Sequence, residues 1–218
     1  KSVFLPPIME IKNLVIAPHV DDEILGCGGI LNSSFLVYFC GIDESKIRDD
    51  KDRTSTNQRF SELKKVSDYL GFRFECNELS KVNHYVEQDF IDTFEDLINK
   101  IKPEKVFIPH PGYNQDHRTI FNAAIVALRP HDRNFFVKKI LVYEAAHDVI
   151  WNPKKMNLNY FVPIDIERKI KAYEIYNSQV RGMRSSQLLM DIASIRGASS
   201  NCKHAEAFEI LRWSEDEQ

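Results

Sequence analysis

Residues 19 to 23 read His19-Val20-Asp21-Asp22-Glu23, an imidazole and three carboxylates within five positions. Acidic side chains are almost never fully buried without a partner, so three in a row must face water, a cation or a substrate. A cation is the economical answer. His19 and Asp22 are three apart, and a helical turn beginning near Asp21 would put both on one face. Asp21 then projects differently and is free for another task. A second cluster, His110-Pro-Gly-Tyr-Asn-Gln-Asp116-His117, holds further donors. From it, His117 would complete a His/Asp/His set with positions left open for water and substrate, as catalytic zinc sites require. Asp116 could act locally or orient a ligand imidazole.

Two other functions use the same donors. A His/Asp/His set also describes the facial triad of non-haem iron oxygenases, but such sites do not need Asp21 beside Asp22, and the sequence has no separate basic anchor for a keto-acid cosubstrate. A catalytically inactive metal- or sugar-binding module is the other alternative. It gains nothing obvious from a spare carboxylate at Asp21.

The elements that must position these clusters can be read from periodicity. Apolar runs at Leu14–Ala17, Phe35–Cys40, Phe72–Cys76, Val106–Pro109 and Ile140–Tyr143 suit strands buried on both faces. Between them lie helical stripes: Phe60, Leu63, Val66 and Leu70; then Phe90, Ile91, Phe94, Leu97, Ile98 and Ile101; then Ile120, Phe121, Ala124, Ala127 and Leu128. This alternation implies an α/β fold, Rossmann-like, with a mostly parallel sheet and helices on both faces. Both clusters follow a strand, so both lie at the carboxyl edge where open sheets bind ligands. If the strand order is 3-2-1-4-5, the first and fourth strands are neighbours and the clusters face each other. In the last third, Asp165–Asn177 and Ser186–Ile195 read as helices, and Ala205–Leu211 as a short strand or helix. Gly26-Cys-Gly28-Gly29 lacks the G-x-G-x-x-G spacing of a dinucleotide fingerprint, and close helix packing is the better reading. The charged stretch Gly41 to Asn57 reads as a solvated loop, with a flap over the site as its second reading.

At 218 residues and 43% hydrophobic, with no Pro/Gly/Ser-rich linker, residues 1–218 are read as a single domain. The formal charge of −3 and scattered Lys and Arg argue against nucleic acid as a partner. Four cysteines far apart suggest neither a thiolate zinc site nor a disulfide framework, which fits a reducing compartment. No apolar run approaches the ~20 residues that span a bilayer, and no signal peptide is evident. A cytoplasmic protein with no membrane partner is expected; self-association into a homo-oligomer is compatible with the sequence. The chain opens on Lys1 rather than Met, and Lys1 to Ile8 is read as processed or added sequence outside the fold.

Ala17-Pro-His-Val-Asp-Asp-Glu-Ile-Leu-Gly-Cys-Gly-Gly29 resembles the A-H-P-D-D-E-x-L-G-x-G-G signature of the PIG-L/LmbE-like family of zinc-dependent N-deacetylases, with Val20 where Pro is usual. Weaker similarities follow in the right order: Arg59-x-x-Glu62 before Leu70-Gly71, Asp116-His117 opening a helix, Lys171-Ala-x-x-x-Tyr-x-Ser-Gln179, and Ala205-Glu-Ala-Phe208. The resemblance spans about residues 10 to 212. It implies a Rossmann-like metal-dependent hydrolase that removes acetyl from N-acetylglucosamine conjugates or similar acylamino sugars. Carried over residue by residue, it makes His19, Asp22 and His117 the ligands of one Zn²⁺ per chain, with Fe²⁺ or another divalent ion as an alternative, and Asp21 the general base. Many family members carry a histidine three residues before the last ligand, where it helps stabilise the oxyanion; here that residue is Asn114. Either its amide donates to the oxyanion, or His110 or His147 supplies the missing imidazole.

The resemblance also places Arg59 near the sugar conjugate, against the alternative of an exposed helix arginine that touches nothing. Tyr113 and Trp151 could stack on a sugar ring, with a core or interface place for Trp151 the plainer expectation. The expected substrate is a small acylamino sugar conjugate, such as a nucleotide-linked sugar or a thiol-cofactor precursor. A lipid-linked substrate suits a chain without a membrane segment poorly, although some relatives use one.

Overall fold

The structure is a computed structural model that describes residues 10–47, 49, 53–151 and 155–215. Lys1 to Ile8, parts of the charged stretch (48 and 50–52) and residues 152–154 lie outside the described residues. The runs of apolar residues form the expected parallel strands. These are β1 (Asn13–Ala17), β2 (Phe35–Phe39), β3 (Arg73–Cys76), β4 (Lys105–Pro109) and β5 (Lys139–Tyr143), and Leu14 through Ala17 are fully buried. β1 pairs in parallel with both β2 and β4, Leu14 facing Leu36 on one side and Val106 on the other. The seven strands run in the order β3-β2-β1-β4-β5-β7-β6, where β6 is Tyr160–Pro163 and β7 is Ala205–Trp213. The first five places match the 3-2-1-4-5 order expected.

Strand residues alternate between two apolar layers, as the two-residue period requires. Val15, Val37, Phe107 and Leu141 point to one layer, covered by α1 (Asp22–Cys27), α2 (Thr56–Leu70), α6 (Ile166–Ile175) and α7 (Ser186–Ser199). Leu14, Leu36, Val106 and Ile140 point to the other, covered by α3 (Glu87–Ile101) and α4 (Gln115–Ala127). Helix boundaries follow local chemistry. Ser55 caps α2 by accepting the Gln58 N–H, and Gly71 ends it with a φ of 86°, a conformation glycine adopts without steric cost.

Several expectations are corrected. β3 is an edge strand, so Arg73 and Glu75 are exposed and the strand is not buried on both faces. For the same reason Phe60 is 40% exposed at the end of the α2 stripe, resting edge-on against Phe74. Of the two options for Ala205–Leu211, the strand is observed. β7 inserts antiparallel between β5 and β6, and neither β6 nor α5 (Ala146–Ile150) was legible beforehand. The charged stretch is not wholly solvated, since Ile42 and Glu44 are buried.

The glycines after the acidic run do serve close packing. A Cβ on Gly26 would lie 2.2 Å from the Tyr143 ring and one on Gly29 2.5 Å from Ile164. A buried clamp completes the seat of α1: Lys169 Nζ donates to Leu25 O at 2.9 Å and to Glu206 Oε1 at 2.7 Å, and the Gly29 N–H donates to that same oxygen at 2.7 Å.

Candidate active site

Because β1 and β4 are parallel neighbours, the turns that leave them open on one edge of the sheet. The first turn delivers His19, Asp21 and Asp22; the second delivers Asn114 at the N-cap of α4, then Asp116 and His117 in its first turn. His19, Asp22 and His117 each present one ligand atom, and those atoms all lie within 4.8 Å of one another. Asp22 Oδ2 stands 3.2 Å from His19 Nδ1 and 3.1 Å from His117 Nε2. It also accepts the His19 backbone N–H at 3.0 Å.

Asp116 fixes the orientation of His19. Its Oδ2 accepts from the Asn83 N–H at 2.7 Å and lies 2.8 Å from His19 Nε2. A carboxylate can only accept there, so the proton sits on Nε2 and the Nδ1 side faces Asp22. Burial lowers the His19 pKa, but Asp116 and Asp22 override it and raise it to about 10. Asp22 is pushed up by burial, yet His117 and His19 together hold it well below the usual carboxylate range. Two carboxylates arranged to favour a charged imidazole equally favour a cation. His117 is 1% exposed and neither ring nitrogen has a hydrogen-bond partner; its 3.1 Å approach to Asp22 is close in distance but not aligned as a hydrogen bond. A buried imidazole left unsatisfied in this way is costly unless a ligand engages it.

The remaining carboxylates divide their roles. Asp21 and Glu23 are both buried, Asp21 on the wall of a cavity and Glu23 against the protein itself, so the expectation that all three acids face water, a cation or substrate is corrected for Glu23. Glu23 meets other groups of the chain: Oε2 accepts the Asp21 N–H at 3.0 Å and Oε1 accepts the Tyr176 hydroxyl at 2.6 Å. Burial pushes its pKa up to about 8, against the pull of the Tyr176 hydrogen bond. Asp21 has a φ of 126°, a conformation that costs a non-glycine residue on the order of 1–3 kcal/mol and persists only where its surroundings enforce it. Its Oδ2 accepts from Arg184 Nη1 at 2.9 Å.

Two cavities meet at these residues. One of about 380 Å³ is lined by His19, Asp22, Asn114, His117, His147 and Arg184, with Tyr113, Ile150 and Met183 at its apolar side. The other, about 270 Å³, is lined by His19, Asp21, Glu44, Arg59, Asn114, Gln179, Arg181 and Arg184, among others. Asn114 caps α4 by accepting the Asp116 N–H on Oδ1 at 2.8 Å, which leaves its NH₂ group as the donor for a ligand. Tyr113 is 40% exposed and its ring lies 4.9 Å from that of Trp151. Trp151 is 62% exposed, so it is not a core residue.

Other candidates are placed differently from expectation. His110 is buried outside both cavities; its Nδ1 accepts the Gly112 N–H at 3.1 Å and lies 3.5 Å from Asp148 Oδ1. The imidazole on the cavity wall is instead His147, whose ring centre is 5.0 Å from that of His117. Burial and the neighbouring His117 lower its pKa. Arg59 does not dangle from an exposed helix. It is buried beside Glu44, Nε to Oε1 at 2.9 Å, and its Nη1 has no hydrogen-bond partner. Glu62 of the same helix accepts the Ser178 hydroxyl at 2.6 Å, which joins two of the weaker motifs. Sequence reasoning missed Arg184 entirely, since an arginine in an irregular connection carries no local signal.

The same architecture occurs in solved structures. An N,N'-diacetylchitobiose deacetylase from Pyrococcus horikoshii aligns with a TM-score of 0.73 at 22% identity, covering 93% of this chain and 84% of that one. A deacetylase of the teicoplanin biosynthesis pathway gives 0.73 at 18% identity over 94% of this chain and 100% of that one. A 4-carboxy-2-hydroxymuconate hydratase from Pseudomonas putida KT2440 gives 0.71 at 16% identity, covering 95% and 99%. At such identities the likeness is one of fold, and the hydratase shows that the fold serves more than one reaction. A comparison with curated proteins returns no match. The family model for PIG-L, described as GlcNAc-PI de-N-acetylase, matches residues 14–128, more than half of the chain and the span that holds both clusters. On that match, and with both clusters meeting at one edge of the sheet, the chain belongs to the PIG-L family of deacetylases.

Proposed function

We propose that this chain is a metal-dependent amidohydrolase, a single catalytic domain that removes the acetyl group from a small N-acetylglucosamine-like sugar conjugate. The observation that carries this reading is the convergence of His19, Asp22 and His117 within 4.8 Å, with Asp21 on the adjoining cavity wall. Those three residues are the proposed ligands of one divalent cation, zinc or ferrous iron, and the unsatisfied nitrogens of buried His117 fit that assignment. When bound, such an ion supplies Lewis acidity, polarising the amide carbonyl and lowering the pKa of water to about 7.

The chain's own residues do the rest. Asp21, with Oδ2 held by Arg184, takes the proton of the attacking water on Oδ1 and returns it to the leaving amine. Asn114, its Oδ1 committed to the cap, donates from its NH₂ group to the oxygen that gains charge. Asp116 keeps His19 in one tautomer and one orientation. Tyr113 and Arg59 stand on the walls as contacts for the sugar and its conjugate. The names of the matched model and of the chitobiose deacetylase both denote amides of glucosamine, which supports this class of substrate.

The test is free-amine release by metal-loaded protein from N-acetylglucosamine, N-acetylated nucleotide sugars and glycosyl-malate type compounds. Amine release from at least one is expected. Silence across the panel, with turnover of a phosphoester or of an oxygen-dependent substrate, would sink the assignment. Within an active enzyme, Asn114→Ala should lower kcat by about 10²-fold, the scale of one lost oxyanion donor, with KM little changed. A change confined to KM would move Asn114 to ground-state binding.

A further inference from the structure

Asp21 occupies the N-cap position of α1, where an aspartate ordinarily turns its carboxylate onto the first free N–H groups of the helix. Here the side chain makes no such cap. The backbone is twisted to a φ of 126°, and the carboxylate meets the Arg184 guanidinium, 163 positions away, at 2.9 Å. The geometry points to Arg184 as a positioning residue for the deacetylation reaction, holding one oxygen of Asp21 so that the other faces the attacking water. This inference rests on the proposed deacetylase reading.

Three further features support it. First, the root of Arg184 is clamped. Its carbonyl accepts the Tyr173 hydroxyl at 2.6 Å, its N–H donates to Arg181 O at 2.9 Å, and the next residue, Ser185, caps α7 by accepting the Leu188 N–H. A guanidinium springing from a fixed backbone fixes what it binds. Second, Arg184 lines both cavities, a position it shares with His19 and Asn114. It therefore lies beside the reacting atoms and not in a remote ion pair. Third, the Asp21 carboxylate is 2% exposed and the arginine side chain 23%, so this charge-assisted bond is little diluted by solvent. The position that chain-local forces would give Asp21, a helix cap, is thus overridden by a contact from the other end of the molecule.

The experiment begins with metal-loaded wild-type protein and N-acetylglucosamine or the best substrate of the panel. No amine release there would count against the deacetylase reading itself. Given an active wild type, Arg184→Ala should lower kcat by about 10²-fold, the usual cost of misplacing a reacting group by about 1 Å. KM should stay within about threefold and metal content should be unchanged. Arg184→Lys, which keeps the charge but not the fork, should recover about tenfold of that loss. In an Asp21→Asn background, Arg184→Ala should change the residual rate less than about twofold, because the arginine acts through the carboxylate. A full additional loss in that background, or an effect confined to KM, would overturn the proposal and make Arg184 a substrate contact. Unchanged kcat in Arg184→Ala would make it a bystander. Should Arg184→Ala fail to fold, Arg184→Lys in both backgrounds decides the question by the same comparison.

Discussion

Asp21→Asn is expected to keep metal content close to wild type while turnover falls by about 10² to 10⁴-fold, the range for a positioned proton-transfer group. The substitution removes the ability to take a proton and little else. Asparagine tolerates a positive φ about as readily as aspartate, so the twist at this position survives. An amide oxygen can still accept from Arg184, although as a neutral acceptor it holds the guanidinium less tightly. Metal analysis of the purified variant together with single-turnover rates measures both halves of the expectation. Lost metal with activity restored by added zinc would make Asp21 a ligand.

The second large effect is on the metal. His117→Ala should abolish stoichiometric binding of zinc, since it removes one of three protein donors and no second set of three converges among the described residues. Wild-type protein at about 100 times the dissociation constant gains about 2.7 kcal/mol from the ion, and the variant should lose the corresponding rise in Tm. Alanine suits the first turns of a helix, so the metal-free variant should remain folded. Elemental analysis and thermal melts with and without zinc read the two outcomes. Full occupancy in His117→Ala would mean the third ligand is misassigned. The metal acquired in the cell need not be zinc, because the same donors accept iron or cobalt.

How much of this was legible beforehand can be followed residue by residue. The strands β1, β2, β4 and β5 were visible because buried parallel strands are continuous apolar runs, and α3 because its apolar residues recur at helical spacing. Their order was an assumption, the common 3-2-1-4-5, which the sheet bears out and which sets His19 and Asp22 opposite His117. The twist at Asp21, the burial of Glu23 under Tyr176 and the capping by Asn114 were not visible. Neither was the insertion of β7, whose two pairings are both with strands far from it in sequence.

What the sequence determined by itself was therefore the set of donors and the edge of the sheet on which they stand, because both depend on the order of neighbouring residues and on local period. Tertiary structure alone decided that Arg184 reaches the site and holds Asp21 Oδ2, and that His147 and not His110 lines the cavity. These depend on where side chains from α5 and the connection before α7 come to rest against β1 and α4. An arginine or histidine in an irregular segment has no periodic neighbours to mark it, and its partner is chosen only when packing of the two layers brings distant backbone within a few ångströms.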